Sequence, residues 1–372
     1  MSTRVMAART EPAAALLENV AAAVAGARER AAAFDAHPAF PAADVAALHA
    51  AGALGAVAPV DYGGLGLGTS AAGAADLCRL LRLIGAGSLP LGRLFEAHAN
   101  ALKLVATYGT PAQIARVSAD ALAGHLFALW VTEGERGVVL DGGVLRGTKV
   151  FCSGAGHVAR ALVTARRGAD QTVMVLVDLD PGTRALADRI RLHGMRAAVT
   201  GAMDLAGLPA GPDAIVGDPG DYLRQPEFSA GAWRTSAVTL GGLDALVDAV
   251  RDELVARRRA DNPHQLVRLG ELLIAQESAS LWVAKAARIA EAGDGDPGEV
   301  AAYVNLARIA VELAVLGAIR IAQRALGLNG FIEGRPAERL MRDLATYLRQ
   351  PAPDETLTEA AGWFTSRGRP PP

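Results

Sequence analysis

The chain has 372 residues, of which 51% are hydrophobic, and carries 37 lysines and arginines against 39 aspartates and glutamates. Its length exceeds the roughly 250 to 300 residues at which a single hydrophobic core stops growing, so two or three structural units are predicted. The formal net charge of -2 supplies no positive field for a nucleic-acid backbone or an anionic membrane surface, which disfavours both as partners.

The first region, from Ala13 to about Ala123, has apolar residues at three- and four-residue spacing with short breaks rich in Gly and Pro. This pattern predicts about five helices. The sequence before and within it carries charges throughout, and the apolar runs of the chain are interrupted by charged residues before about 18 residues. We therefore expect a cytoplasmic protein without a transmembrane span.

The second region consists of short β-branched or apolar runs, FALWVTE, VLRGTKVFCSGA, RALVTARR, QTVMVLVDLD and AAVTGAMDLAGL. Because no helix-length segment separates them, helical crossovers and a parallel sheet are not expected, and a compact antiparallel barrel or sandwich is predicted. Long helical stretches return at 229–259, 264–292 and 299–326. The predicted class is α+β, with an N-terminal helical domain (1–124), a central β domain (125–217) and a C-terminal four-helix bundle domain (218–372).

Candidate metal and anion sites are few. The cysteines Cys78 and Cys152 lie far apart, and the seven histidines include no pair at the helical spacing of metal ligands, so no metal site is expected and surface or capping roles are predicted for the histidines. The basic run ARRRAD (256–261) has two interpretations: cations that complement a helix dipole, or arginines that hold a pyrophosphate.

Several segments together resemble the acyl-CoA dehydrogenase superfamily. They are FPAADVAALHAAGALGAVAPVDYGGLGLG, HANALKLVATYGTPAQIARV, FALWVTE, GTKVFCSGAGHVARALVTA, GMRAAVTGAMDLAGLPAG and ALGLNGFIEGRPAERLMRDLATY, and they cover nearly the whole chain in the family's order. The resemblance implies bound FAD, a small-molecule substrate such as an acyl-CoA, an electron-transfer or reductase partner, and a homodimer or homotetramer that shares its flavin sites between subunits. The apolar circumference of the helix at 299–326 agrees with burial in a bundle or a subunit interface.

The resemblance also implies which residues contact the flavin. Backbone and side-chain donors near the ring stabilise its reduced form, and Phe151 occupies the position of an aromatic packed on that ring, with an ordinary core aromatic as the alternative. Arg259 occupies the position of an arginine that reaches the pyrophosphate of a neighbouring subunit, Gln265 occupies a further cofactor position of the family, and two glycines lie in the loop near the adenosine. The implied cofactor-binding residues are Trp130, Val131, Thr132, Phe151, Ser153, Arg259, Gln265, Gly327 and Gly330.

The chain departs from the family at the residues that begin its chemistry. Pro351 corresponds to the usual catalytic glutamate, and Trp233, beside the retained Arg234, corresponds to the alternative base position. Neither side chain accepts a proton, so no catalytic residue is assigned. Asp354 and Glu355 are substitute bases if the loop is rebuilt, or charges of a solvent-exposed proline-rich loop. The segment EGERGVVLDGGVLRG is shorter than the family's substrate-covering loop and lacks its motif.

Three functions fit this pattern. The first is an acyl-CoA dehydrogenase-type oxidoreductase, in which a carboxylate removes the α proton of a thioester while hydride passes to the flavin. The second is a flavin monooxygenase on the same fold, which needs no α-proton base but needs a reductase. The third is a non-catalytic relative that keeps the oligomer and the flavin. The sequence does not identify a substrate.

Overall fold

The computed structural model describes residues 3–186 and 190–368. Residues 187–189 of the predicted β domain, and the ends of the two outer predicted domains at 1–2 and 369–372, lie outside the described residues. The chain forms a helical unit, a β-sheet unit and a second helical unit in that order, which confirms the predicted α+β class.

The N-terminal unit has more helices than the five predicted. They are α1 (Thr3–Ala36), α2 (Ala42–Ala50), α3 (Ala53–Ala56), α4 (Ala74–Gly87), α5 (Leu89–Tyr108) and α6 (Pro111–Leu122). Helix α6 begins at a capping box in which the side chain of Thr110 accepts from the backbone N–H of Gln113, whose own side chain accepts from the N–H of Thr110. Helix α5 packs against both the sheet and the C-terminal unit, so it forms a wall between them.

The sheet unit contains β1 (Phe127–Trp130), β2 (Glu133–Asp141), β3 (Val144–Cys152), β4 (Arg160–Arg167), β5 (Gln171–Asp178), β6 (Gly201–Asp204) and β7 (Ile215–Val216). Four of the strand pairs in the described residues are antiparallel, as predicted, but β1 and β2 both run parallel to β4, which was not expected. The β2–β3 hairpin, rather than a helix, supplies the connection that parallel pairing requires. Strand β2 lies in the segment interpreted as a shortened loop.

The C-terminal unit contains α7 (Glu227–Ala230), α8 (Ala232–Ala256), α9 (Pro263–Ala292), α10 (Pro297–Leu326), α11 (Pro336–Tyr347) and α12 (Pro353–Arg367). Helix α12 replaces the solvent-exposed loop considered for Asp354 and Glu355, because Pro353 occupies the first helical turn, where a missing N–H is harmless. One stretch of the described residues, Pro297–Phe331, is long and apolar enough to cross a membrane, and 44% of the 18-residue window that meets this test is buried in the fold. Core helices of soluble proteins pass the same test.

His98 on α5 departs from the predicted surface or capping role. The side chain is fully buried; its Nδ1 accepts from the N–H of Phe127 at 3.1 Å, and its Nε2 lies 2.9 Å from the carbonyl oxygen of Leu54. The ring therefore joins α3 to the start of β1 as a neutral imidazole. Burial lowers the pKa of His98 to about 4.

This burial predicts a specific pH dependence of stability. Between about pH 6.5 and 4 the unfolded chain protonates His98 and the folded chain does not, so the free energy of unfolding falls as the pH is lowered through that range. The loss is on the order of 3 kcal/mol. Chemical denaturation at several pH values should show this loss in the native protein and a smaller loss in His98→Gln, with exposed His264→Gln as the control. Equal slopes in all three proteins would refute the assignment.

An exposed apolar face on α9 supports the predicted homo-oligomer. Leu273, Ile274 and Leu281 are 55%, 69% and 63% exposed in the single chain, and several large apolar side chains exposed on one helix favour an interaction site. We expect Ile274→Asp to shift the native protein toward a smaller species in light scattering at micromolar concentration. The same change at Val60, 53% exposed in the N-terminal unit, should leave the mass unaltered. A monomeric native protein would contradict the prediction.

Candidate functional site

The sheet presents its site residues at a break between β1 and β2. Trp130 of β1 pairs with Val163 of β4, and Val139 of β2 pairs with Arg166 of β4. Between these two pairs the chain of β1 and β2 advances by nine residues, whereas β4 advances by only three. The extra residues bulge away from β4, and Val131 and Thr132 begin this bulge. They therefore face a cleft instead of continuing a regular strand.

Phe151 and Ser153 reach the same cleft through an irregularity in β3. The pairing of β3 with β6 shifts between Lys149 and Cys152, and Phe151 has a φ of 54°, a conformation that is uncommon for a residue with a side chain. Phe151 is 53% exposed. The core-aromatic alternative is therefore wrong, and an apolar ring on a cleft wall fits a planar ligand stacked upon it.

Trp130 supports this wall without lining the cleft. Its side chain is buried, and the indole N–H donates to the carbonyl oxygen of Ser153 at 3.1 Å. This bond ties the end of β1 to the end of β3. Of the sheet residues implied by the resemblance, the structure thus brings four to the cleft, Val131, Thr132, Phe151 and Ser153, and places Trp130 behind them.

The cleft has a volume of about 720 Å³ and lies between this sheet wall and a helical wall. The helical wall is unusually polar. Its charged, amide and hydroxyl side chains include those of α5 (Arg93, Glu96, Asn100 and Lys103), α8 (Arg234 and Thr235), α9 (Glu291) and α11 (Tyr347), and others come from α7, α10 and α12. Apart from Arg234, sequence reasoning did not find these residues, although the polar positions of α5 recur every three or four residues in an otherwise apolar helix and indicate one face.

Two buried carboxylates organise the helical wall. Glu96 is hydrogen-bonded to Arg93 and Asn100 and accepts from the hydroxyl of Thr235 at 3.2 Å. Its side chain is almost fully buried. Each oxygen of Glu96 is therefore engaged by a donor, which satisfies the requirement that a buried charge be paired and hydrogen-bonded.

Glu291 is engaged by three donors from two other helices. It forms an ion pair with Arg234, accepts from the ammonium of Lys103 at 3.0 Å, and accepts from the indole N–H of Trp233 at 3.1 Å. Burial acts to raise the pKa of Glu291, but Arg234 and Lys103 outweigh it and hold that pKa below its usual value. Glu291 is therefore an ionised, paired carboxylate rather than a poised base.

The two family base positions have different surroundings. Trp233 is fully buried and serves as a donor to Glu291, whereas Pro351 lines the cleft and its carbonyl oxygen accepts from Arg308 at 2.7 Å. Of the two substitute bases, Glu355 lines the cleft and Asp354 does not.

Three buried polar atoms of cleft-lining side chains lack a hydrogen-bond partner within the described residues. They are the hydroxyl of Tyr347, Nε of Arg234 and Nε of Arg308. The side chains of Tyr347 and Arg234 are more than nine-tenths buried. An unsatisfied buried donor costs about 1 to 3 kcal/mol. A bound polar molecule would relieve that cost, so the wall favours a ligand that carries hydrogen-bonding groups.

The remaining implied residues, Arg259, Gln265, Gly327 and Gly330, do not line the cleft. Gln265 is buried and donates from Nε2 to the carbonyl oxygen of Ala325 at 3.2 Å, while its Oε1 has no partner among the described residues. Gly327 has φ 58° and ψ −141°, a conformation reserved for glycine, and open space lies where a side chain would begin. Gly330 is packed against Leu326. Arg259 is exposed in the turn between α8 and α9.

Residues 10–125 match the acyl-CoA dehydrogenase N-terminal domain family, and residues 222–348 match the C-terminal domain family of the same name. A mitochondrial isovaleryl-CoA dehydrogenase of Oryza sativa subsp. japonica is 25% identical over 313 residues, which cover 78% of this chain and 74% of that protein. Two solved structures share the fold. KijD3 in complex with FMN and dTDP-3-amino-2,3,6-trideoxy-4-keto-3-methyl-D-glucose has a TM-score of 0.82 at 22% identity, covering 97% of this chain and 95% of the other. The dibenzothiophene monooxygenase TdsC of Paenibacillus sp. A11-2 has a TM-score of 0.80 at 20% identity, covering 96% and 98%.

Proposed function

Since the chain belongs to the acyl-CoA dehydrogenase superfamily, whose members are flavoproteins, we propose that it is a flavin-dependent oxygenase that acts on a polar substrate. The observation that carries the proposal is the state of the cleft's buried carboxylates. Glu96 and Glu291 are both held by cations, and Pro351 and Trp233 occupy the family base positions. Removal of an α proton requires a free base within hydrogen-bond reach of it.

An oxygenase has no such requirement. In this proposal Phe151 would pack on the ring of a bound flavin, and Val131, Thr132 and Ser153 would supply donors to its polar edge. Once reduced by a partner, such a flavin would supply the activation of dioxygen, with one oxygen atom entering the substrate and the other leaving as water. Tyr347 and Arg234 hydrogen-bond the substrate on the opposite wall. The names of two structural neighbours, one a monooxygenase and one bound to FMN and an amino sugar nucleotide, point the same way. A separate reductase is then the expected partner.

Acyl thioester oxidation is the second candidate, and Glu355 is the observation in its favour. This residue lines the cleft four positions after Pro351, in the first turn of α12. It is exposed in the single chain, so its carboxylate is free to approach a substrate. The curated relative, a dehydrogenase of an acyl-CoA, belongs to this class of reaction.

We expect the native protein to oxidise straight-chain acyl-CoA substrates at well below about 1 s⁻¹ in a dye-coupled assay over C4 to C16 thioesters. A positioned base contributes a factor of about 10² to 10⁴, and both family positions lack one. Pro351→Glu should raise the rate at least tenfold. The same change at Pro353, which does not line the cleft, is the matched control.

Two further measurements separate the candidates. Turnover by the native protein near 1 s⁻¹ that disappears in Glu355→Gln would establish the dehydrogenase and defeat the oxygenase. Reoxidation of the dithionite-reduced protein in air, followed by stopped-flow absorbance, should pass through a transient species in an oxygenase. A protein that takes up no flavin under any condition would support the non-catalytic alternative.

We propose FAD rather than FMN as the cofactor. The resemblance places Arg259 and the Gly327 loop at the pyrophosphate and adenosine end of FAD, which FMN lacks. A forked guanidinium–phosphate contact is charge-assisted, and such hydrogen bonds contribute about 1.5 to 3 kcal/mol. Arg259→Ala should therefore lower FAD affinity by roughly tenfold or more in a fluorescence titration, with the melting temperature preserved. Arg251→Ala, an exposed change on α8, is the control. Unchanged FAD affinity in Arg259→Ala would remove this residue from the site.

A further inference from the structure

Lys149 is a fully buried cation directly behind the sheet wall of the cleft. Its side chain has no exposed surface, and it lies on β3 opposite Glu133. The ammonium donates to the carbonyl oxygen of Val131 at 3.2 Å and to the hydroxyl of Thr164 at 2.9 Å, and it forms an ion pair with Glu133. Val131 lies in the break between β1 and β2, Glu133 begins β2, and Thr164 lies on β4 beneath the break.

Packing alone does not explain a lysine at this position. Desolvation of an ammonium is costly, and replacing a buried ion pair by hydrophobic residues of similar volume is often neutral or stabilising. The pair is also asymmetric, because the side chain of Glu133 is 44% exposed whereas that of Lys149 is fully buried. Burial accordingly lowers the pKa of Lys149, an effect that Glu133 opposes.

The contact with Val131 has a direct consequence for the cleft. The carbonyl of Val131 and the N–H of Thr132 belong to one peptide unit, and a donor bonded to the oxygen of a peptide polarises the unit and strengthens its N–H as a donor. The same bond fixes where the chain leaves β1, and so fixes the orientation of Val131 and Thr132 toward the cleft.

We propose that Lys149 is a positioning residue for the flavin: its ammonium holds and polarises the Val131–Thr132 peptide, so that this peptide binds the ring more strongly when the ring is reduced and negatively charged. The inference rests on the proposed flavin site. It assigns opposite electrostatic roles to the two partners, because the cation favours the reduced ring and the carboxylate of Glu133 moderates that effect.

The test compares Lys149→Met and Glu133→Gln with the native flavin-loaded protein, using Lys285→Met on α9 as the matched control. The readouts are the dissociation constant for oxidised FAD, the midpoint potential from spectroelectrochemical titration, and the melting temperature of the apoprotein. Lys149→Met should weaken the binding of oxidised FAD about tenfold. It should weaken the binding of reduced FAD by a further factor of about ten. The second factor lowers the two-electron potential by about 30 mV. Glu133→Gln should raise the potential, and Lys285→Met, which removes a cation packed on the Tyr303 ring far from the sheet wall, should leave the FAD dissociation constant and the midpoint potential unaltered.

Potentials that move in the same direction in the two variants, or that do not move while flavin stays bound, would overturn the inference. If Lys149→Met fails to fold, the sign of the shift in Glu133→Gln decides the question, because a purely structural lysine predicts no rise. A native protein that binds no flavin would defeat the proposed function, and the inference with it; a native protein that binds flavin without these shifts defeats the inference alone.

Discussion

The helical wall of the cleft depends on the burial of Glu291. A carboxylate removed from water must be matched by donors, and this one takes Arg234 from α8 and Lys103 from α5. Removing one partner of a buried ion pair leaves an uncompensated charge and typically costs about 3 to 5 kcal/mol. The relative positions of three helices are therefore tied to one side chain. The same constraint gives Trp233, at a family base position, a structural role as a donor to Glu291.

The sheet wall also depends on one buried charged side chain, which here is a cation. Lys149 is buried behind the break between β1 and β2, where regular pairing with β4 is lost and carbonyl groups become available to it. The bulge that exposes Phe151 follows two residues later on the same strand. One wall thus offers polarised backbone and an aromatic face, and the other offers paired charges and unsatisfied donors. A planar cofactor suits the first wall, and a polar substrate suits the second.

The elements that could be predicted from the sequence are those whose bounds are determined by local residue patterns. The stretch predicted at 264–292 agrees with α9 at Pro263–Ala292, since Asn262 caps its N-terminus and Pro263 begins it. Strand β2 was missed because the resemblance placed its segment in the family's substrate-covering loop, and α12 was missed because prolines that begin a helix also indicate loops. The charged cluster was beyond such reasoning, because Lys103 and Glu291 are 188 residues apart. A polar helical face in the sequence predicts exposure to solvent unless the element that packs against it is known.

The departure at Pro351 costs the fold little, which explains how a chain retains the architecture while the family's base is missing. The residue lies between α11 and α12, and the contact that fixes it uses its backbone: the carbonyl oxygen accepts from Arg308. Any side chain leaves that bond intact, so the identity of residue 351 is free to change with the chemistry. Glu291 and Lys149 have no such freedom, because both are buried charges matched by partners on neighbouring elements. Divergence of function on this fold should therefore concentrate at cleft-lining positions held by backbone, whereas the buried charges that shape the two walls persist.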